Sequence, residues 1–190
     1  MATRHGSGRP IFLIGFMATG KSTVGRLVAA HRGWQFVDLD DAIVAAAGHS
    51  VAEIFAREGE PGWRRREAEA VRQACQRTET VIATGGGAAC REDNLRAMLD
   101  VGSVVALSAT PAEVLRRTGG ASGRPLLDHT ADPATAAAAL LVAREPFYAR
   151  AHHTVDTVGK TAEEVAAQVL AKLDAGEAAR GGDILPPDHK

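Results

Sequence analysis

One eight-residue stretch of the sequence has the composition of a phosphate-binding loop. It reads Gly15-Phe16-Met17-Ala18-Thr19-Gly20-Lys21-Ser22 and fits the pattern G-x-x-x-x-G-K-[ST]. The two motif glycines allow the backbone to turn and to approach phosphates closely. The loop N–H groups and the N-terminus of the next helix present positive potential to a polyanion. The pattern therefore predicts a binding site for ATP.

Several side chains of this loop have separate predicted roles. Lys21 is expected to reach the β- and γ-phosphates and to take part in catalysis, and the Ser22 hydroxyl is expected to coordinate Mg²⁺. Ala18, Thr19 and Thr23 complete the predicted contacts with ATP. The motif alone does not separate a kinase from an NTPase motor or a switch protein.

The elements that must position this loop alternate between strand and helix. Short apolar runs predict five strands, at residues 11–14, 35–37, 80–83, 103–107 and 153–156. Helical patterns lie between and after them, the first over 21–32 and the last over 161–173. This alternation predicts a three-layer α/β/α fold around a five-stranded parallel sheet. The phosphate-binding loop adds the P-loop NTPase class, within which the pattern resembles nucleoside-monophosphate kinases. We expect one domain over residues 1–173 and a disordered tail over 174–190.

Composition restricts the class of protein. A length of 190 residues with 45% apolar residues suits one soluble domain. The net charge of -1 argues against a nucleic-acid partner bound through its phosphate backbone. No apolar run reaches membrane-spanning length and the N-terminus has no apolar signal region, so a cytoplasmic protein without a membrane partner is expected. Cys75 and Cys90 predict two reduced thiols.

Further motifs resemble those of the shikimate kinase family, from about Ile11 to Leu173. The matching pieces are GFMATGKST at 15–23, FVDLD at 36–40, GHSVAEIFAREGEPGWRRREAEA at 48–70, TGGG at 84–87, RRTGGASGRPLL at 116–127 and REPFY at 144–148. The resemblance implies ATP-dependent phosphorylation of the 3-hydroxyl of shikimate, with Mg²⁺, in the biosynthesis of aromatic amino acids through chorismate. It also implies a monomer, a substrate-binding region over about 38–70 and a mobile lid over about 118–128.

Two carboxylates after the second predicted strand take roles from this resemblance. Asp40 looks like the base that meets the substrate hydroxyl, and Asp38 looks like a residue that holds Mg²⁺ through water. A carboxylate at the C-terminal end of a parallel strand also lies where ligands bind in open α/β sheets. The alternative interpretation is that Asp40 or Asp41 is a helix N-cap.

The resemblance assigns the substrate carboxylate to two arginines. Arg64 and Arg144 look like a clamp, which is chemically sensible because a planar guanidinium pairs with a carboxylate bidentately. Glu67 follows Arg64 on the same helix face and is expected to orient it or to accept a substrate hydroxyl. The backbone N–H groups that complete this predicted site belong to Gly85, Gly86 and Gly87. The alternative for each arginine is an exposed helical residue.

The predicted lid contributes a further arginine. Arg124 looks like the residue that meets the transferring phosphate, as an arginine finger supplied in cis. Arg117 is expected near the adenine, and Lys160 over its other face. The alternative is a flexible surface loop with an incidental arginine.

The sequence departs from the family pattern at two positions. Ala18 replaces a glycine that is often found in the middle of the loop, and Trp63 stands where phenylalanine is usual, against the substrate ring. The first change is permitted by the general motif, and the second is expected to narrow the pocket.

Two other functions compete with this interpretation. Another small-metabolite P-loop kinase, such as a gluconate kinase, would lack Asp38, Asp40, Arg64 and the glycine triplet together. A non-catalytic relative that keeps ATP binding as a regulatory module would have lost Lys21, Asp40 or Arg124, and the sequence retains all three.

Overall fold

The computed structural model describes residues 8–118 and 133–181 and has the predicted alternation of strands and helices. The strands are β1 (Ile11–Ile14), β2 (Gln35–Asp38), β3 (Thr80–Ala83), β4 (Ser103–Ser108) and β5 (His153–Asp156). The helices are α1 (Lys21–Arg32), α2 (Leu39–Ala47), α3 (Val51–Ala74), α4 (Glu92–Val101), α5 (Pro111–Thr118), α6 (Pro133–Tyr148) and α7 (Ala162–Gly181). A short 3₁₀ turn over Ala88–Cys90 lies between β3 and α4.

The strands form one parallel sheet in the order β2-β3-β1-β4-β5. The central strand β1 places Ile11 opposite Val81 of β3 and opposite Ser103 of β4. Helices cover both faces of the sheet, so the predicted three-layer α/β/α fold with five parallel strands is confirmed.

Alternate residues of β1 face opposite layers of the molecule. Ile11 and Leu13 pack with α1 and α7, whereas Phe12 and Ile14 pack with α3, α4, α5 and α6. Because both faces are buried, the strand is a continuous apolar run. The neighbouring strands β1 and β3 are followed by α1 and α4, which lie on opposite faces. The C-terminal ends of β1 and β3 therefore form a topological switch point, where a ligand cleft opens.

The region over α2 and α3 has a small core of its own. Ile43, Ile54 and Trp63 pack together there, away from the two sheet-facing cores. The helix α3 bends at Gly59, whose φ of 66° and ψ of −178° suit only glycine. Pro61 then falls in the first turn of the second helical segment, where its missing N–H has no cost. Trp63 is thus a core residue of the predicted substrate-binding region.

The last helix is longer than the sequence predicted. It continues to Gly181 instead of ending at Leu173, so residues 174–181 are helical. Arg32 of α1 explains part of this extension, because it pairs with Asp174 at 2.5 Å and with Glu177 at 3.3 Å. Residues 182–190 and the predicted lid with Arg124 lie outside the described residues. Among the helices of the two described ranges, each is too short or too polar to cross a membrane.

Candidate active site

The loop between β1 and α1 is built to receive phosphate. Gly20 precedes α1 and has no side chain to cap it, so the first N–H groups of the helix are not occupied by a cap and can bind an anion. Thr19 Oγ1 donates a hydrogen bond to the Phe16 carbonyl at 2.9 Å and holds the turn. Lys21 Nζ donates to the carbonyls of Gly15 and Phe16 at 2.9 and 2.7 Å. A polyphosphate would compete with these carbonyls for the ammonium group.

Asp38 and Ser22 lie together at the end of this loop. Ser22 Oγ donates to Asp38 Oδ2 at 2.5 Å, and the Asp40 N–H donates to Asp38 Oδ1 at 3.0 Å. Asp38 is therefore the N-cap of α2. The alternative interpretation of Asp40 or Asp41 as the N-cap was wrong, because β2 ends one residue before α2 begins.

The oxygens of Ser22 and Asp38 fit Mg²⁺ chemically. A hydroxyl and a carboxylate are hard ligands of the kind that Mg²⁺ prefers, and this ion completes its shell with water and substrate phosphates. Within residues 8–118 and 133–181, no cluster of three or more His, Cys, Asp or Glu side chains could enclose a metal alone. Any Mg²⁺ at this position would share its coordination with the nucleotide.

The carboxyl group of Asp40 is buried beside these residues. Its Oδ1 atom has no hydrogen-bond partner in the described part of the chain. Burial and the negative charges of Asp38 and Glu67, opposed by Lys21, together raise the pKa of Asp40 to about 6. Buried polar atoms are normally bonded, so an unpartnered carboxylate oxygen at a phosphate loop indicates a group that meets a ligand.

The glycine triplet after β3 makes room for charged side chains. A Cβ on Gly85 would lie 2.6 Å from Asp40 Oδ1 and 2.7 Å from Glu67 Oε1. A Cβ on Gly87 would overlap the guanidinium of Arg64. Side chains at these positions would therefore displace the predicted base and the predicted clamp, which explains why the chain has glycine there.

Arg64 is held in this space by two carboxylates. Its Nη1 donates to Glu67 Oε2, and its Nη2 donates to Glu60 Oε1 at 2.8 Å. Burial lowers the pKa of Arg64, but Glu67 and Glu60 outweigh burial and the pKa lies above its ordinary value. The predicted contact between Arg64 and Glu67 is present, with Glu67 only 3% exposed.

Arg144 approaches the same triplet from α6. It is 7% exposed, so the alternative of an exposed helical arginine does not hold. Its guanidinium lies 5.7 Å from the centroid of the Phe16 ring, and its Nη1 is 3.5 Å from the place of a Cβ on Gly86. The helix α6 continues through Pro146 to Tyr148, so Arg144 points inward from within a helix and not from its end.

A cavity of about 460 Å³ borders the phosphate loop and is lined by both residues that are predicted near adenine, Arg117 and Lys160. Arg117 is held there, with Nη1 donating to the Ala18 carbonyl at 3.2 Å and to Thr157 Oγ1 at 3.0 Å. Lys160 lines the same cavity and donates to the Asp156 carbonyl at 2.9 Å. The loop residues that share this cavity with them are Ala18, Thr19, Gly20 and Thr23.

A second cavity of about 350 Å³ continues from the first along the loop. Ala18, Gly20 and Thr23 line both cavities. The second cavity extends to Asp40 and Gly86, so one cleft joins the predicted adenine site to the predicted acceptor site. A nucleotide that lies along the loop through both cavities would have its terminal phosphate near Asp40.

Three residues at this site were not singled out from the sequence. Tyr148 donates to the Gly86 carbonyl at 2.5 Å, Glu60 binds Arg64, and Thr157 binds Arg117. Two of them carried a usable signal, because Tyr148 and Glu60 stand four residues from Arg144 and Arg64 on the same helix faces. Thr157 follows β5 and has no such spacing.

Comparisons with known proteins agree with this geometry. A family model described as Shikimate kinase matches residues 17–174. Relatives named shikimate kinase include one from Geobacter metallireducens, which is 44% identical over 88% of this chain and 93% of its own. Another, from Symbiobacterium thermophilum, is 45% identical over 86% of this chain and 95% of its own.

Solved structures give the same family and a wider fold group. Shikimate kinase from Acinetobacter baumannii, in complex with shikimate, superposes with a TM-score of 0.85 at 34% identity and covers 90% of this chain and 95% of its own. A gluconokinase from Sinorhizobium meliloti superposes with a TM-score of 0.62 at 18% identity over 95% of this chain and 99% of its own, and so shares the fold alone. The family match, the relatives and the convergent site together show that this chain belongs to the shikimate kinase family.

Proposed function

We propose that this protein transfers the γ-phosphoryl group of ATP to the 3-hydroxyl of shikimate, giving shikimate 3-phosphate and ADP. The observation that carries the proposal is the buried Oδ1 of Asp40, which lies beside the phosphate loop and the glycine triplet and has no hydrogen-bond partner among the residues that the structure describes. A carboxylate there can accept a proton from an acceptor hydroxyl that faces the end of a triphosphate. Family membership supports shikimate as the acceptor.

The phosphate loop binds and orients the donor. Lys21 exchanges its bonds to the loop carbonyls for the β- and γ-phosphate oxygens. Ser22 and Asp38 would hold Mg²⁺, which when bound neutralises charge on those oxygens. Arg117 and Lys160 border the cavity proposed for the adenine ring.

Asp40 acts on the acceptor. It takes the proton of the 3-hydroxyl as the oxygen forms its bond to the γ-phosphorus and the bond from that phosphorus to ADP breaks. A pKa of about 6 leaves Asp40 mostly ionised at neutral pH, yet basic enough to accept the proton. Arg124, outside the described residues, is proposed to stabilise the charge on the transferring group.

Arg64 and Arg144 orient the acceptor by its carboxylate. Both guanidinium groups approach the glycine triplet, Arg64 at Gly87 and Arg144 at Gly86. A carboxylate between them would receive charge-assisted hydrogen bonds from two directions. The acceptor hydroxyl is thereby fixed relative to Asp40.

The remaining properties are proposed from the family resemblance. They are a monomer that works in the cytoplasm, a mobile lid over about 118–128 and a substrate-binding region over about 38–70. The separate core of Ile43, Ile54 and Trp63 supports the last of these, since it allows this region to pack independently of the sheet. Light scattering of the purified protein tests the monomer.

A coupled assay of ADP release tests the proposed function. Shikimate, gluconate, quinate and a control without acceptor are compared, each with Mg²⁺ and with a chelator in excess. We expect release with shikimate and Mg²⁺ only. Faster release with gluconate would favour the gluconate kinase alternative, and release at the same rate without any acceptor would contradict the assignment of a kinase.

A further inference from the structure

We infer that the hydroxyl group of Tyr148 positions the peptide between Gly86 and Gly87 so that the Gly87 N–H faces the acceptor carboxylate. Tyr148 is a positioning residue in this inference, because it acts through the backbone of the glycine triplet. The inference rests on the proposed function and adds a residue to the same site.

The contact that carries the inference is short and buried. Tyr148 is 8% exposed, and its hydroxyl donates to the Gly86 carbonyl oxygen at 2.5 Å. The Cys90 thiol is a second, weaker donor to the same oxygen, at 3.9 Å. Two side-chain donors from separate elements therefore converge on one carbonyl of a segment that is otherwise free of side chains.

A planar peptide transmits this contact to the next residue. The C=O of Gly86 and the N–H of Gly87 belong to the same trans peptide and point in opposite directions. When Tyr148 holds the carbonyl toward α6, the Gly87 N–H points away from α6. Because glycine residues rotate freely about φ and ψ, a triplet of them needs an external contact to keep one orientation.

The Gly87 end of this peptide lies at the clamp. A Cβ on Gly87 would overlap the guanidinium of Arg64, so the backbone there is in contact with the space that Arg64 occupies. Arg144 stands one helical turn before Tyr148 and reaches Gly86. The same helix face thus supplies one guanidinium for the carboxylate and the hydroxyl that orients a backbone donor for it.

Burial keeps the Tyr148 hydroxyl protonated. Burial raises the pKa of Tyr148 well above its ordinary value, with the charge of Arg144 acting in the opposite direction. The group therefore remains a donor over the range of pH in which the enzyme would work. Its contact with Gly86 is a constant feature of the site and does not switch with pH.

The test compares Tyr148→Phe with the wild-type protein on two acceptors. One is shikimate, and the other is its analogue in which the carboxylate is replaced by hydroxymethyl. We expect the variant to raise the KM for shikimate about tenfold, as loss of a hydrogen bond to a charged group would. The KM for ATP and the kcat should stay within about twofold, and the analogue should show no such increase.

Thr80→Val is the matched control. It also removes a hydroxyl from a buried side chain that donates to a backbone carbonyl, that of Thr78 at 2.7 Å, at the far end of β3. Both variants are expected to lower the melting temperature, but only Tyr148→Phe should change the KM for shikimate. A lower melting temperature with an unchanged KM, or an equal rise in KM for both acceptors, would overturn the inference.

An NMR measurement on the wild-type protein needs no variant. The amide proton of Gly87 should move downfield when shikimate binds and should not move when the hydroxymethyl analogue binds. An amide that does not respond to shikimate would also overturn the inference. If the wild-type protein does not phosphorylate shikimate at all, the proposed function fails, and that result is distinct from a failure of Tyr148 alone.

Discussion

Replacing Asp40 by asparagine should stabilise the folded protein. Burial, with the charges of Asp38 and Glu67, raises the pKa of Asp40 from an ordinary value of 3.8 to about 6. The folded chain therefore holds this proton more tightly than the unfolded chain, and ionisation weakens the fold as the pH rises through this range. At about 1.36 kcal/mol for each pH unit, the full cost above pH 6 is about 3 kcal/mol. Asparagine has no charge to desolvate and avoids that cost.

Urea unfolding at two pH values measures this effect. We expect Asp40→Asn to be more stable than the wild type by up to about 3 kcal/mol at pH 7.5, and by about half as much at pH 5. Asp41→Asn is the control, since it makes the same charge change at an exposed carboxylate and should alter stability by about 0.5 kcal/mol or less. Equal stability of Asp40→Asn and wild type at pH 7.5, or a difference that does not vary with pH, would refute the reasoning.

The same substitution should remove activity. Loss of a general base lowers turnover by about 10²- to 10⁴-fold, while the KM for ATP should hardly change because Asp40 does not bind the nucleotide in this mechanism. In the wild type, kcat/KM for shikimate should fall as the pH drops below about 6, where Asp40 becomes protonated. Near-normal turnover of Asp40→Asn would remove the residue from the mechanism.

Three further substitutions test other parts of the site. Arg64→Ala should chiefly weaken shikimate binding. It should also destabilise the fold, since it leaves Glu67 buried without its Arg64 partner. Arg64→Lys keeps the charge, so it should raise the KM for shikimate with less loss of stability. An unchanged KM for shikimate would show that Arg64 is structural. Arg124→Ala should lower kcat by about 10³-fold and weaken nucleotide binding less, and equal turnover would exclude a finger role. Ala18→Gly should raise the free energy of unfolding in urea by about 0.5 kcal/mol. Ala18 has a φ of 58°, and removing that backbone strain should outweigh the greater conformational entropy that glycine gives the unfolded chain. Marked destabilisation would contradict this prediction.

Local patterns were sufficient to predict most of the fold. The run from Ile11 to Ile14 is apolar at every position because both faces of a central parallel strand are buried, so its sequence reports its location directly. Ser50 and Glu53 stand three residues apart, a spacing typical of a capping box, and the structure has that box at the start of α3. The end of α7 was missed because Arg32 stabilises it from another helix, and a contact with a distant residue leaves no periodic signal near the helix end.

The site was predicted less completely than the fold. Residue types and spacing predicted that Arg64 and Glu67 share a helix face, and the structure pairs them. They could not distinguish an inward Arg144 from an exposed one, because orientation depends on how α6 packs against Phe16. The cap of α2 was also misassigned, since it depends on the residue at which β2 ends.

Glu67 links the proposed base to the proposed clamp, so the two parts of the site are not independent. It pairs with Arg64, and its other oxygen shares with Asp40 the space beside Gly85. Its charge is one of the causes that raise the pKa of Asp40. If a substrate carboxylate draws Arg64 away from Glu67, the field of Glu67 at Asp40 would be less compensated and the affinity of Asp40 for a proton would increase. We therefore expect binding of the acceptor to strengthen the proposed base when a hydroxyl is in place to give up its proton.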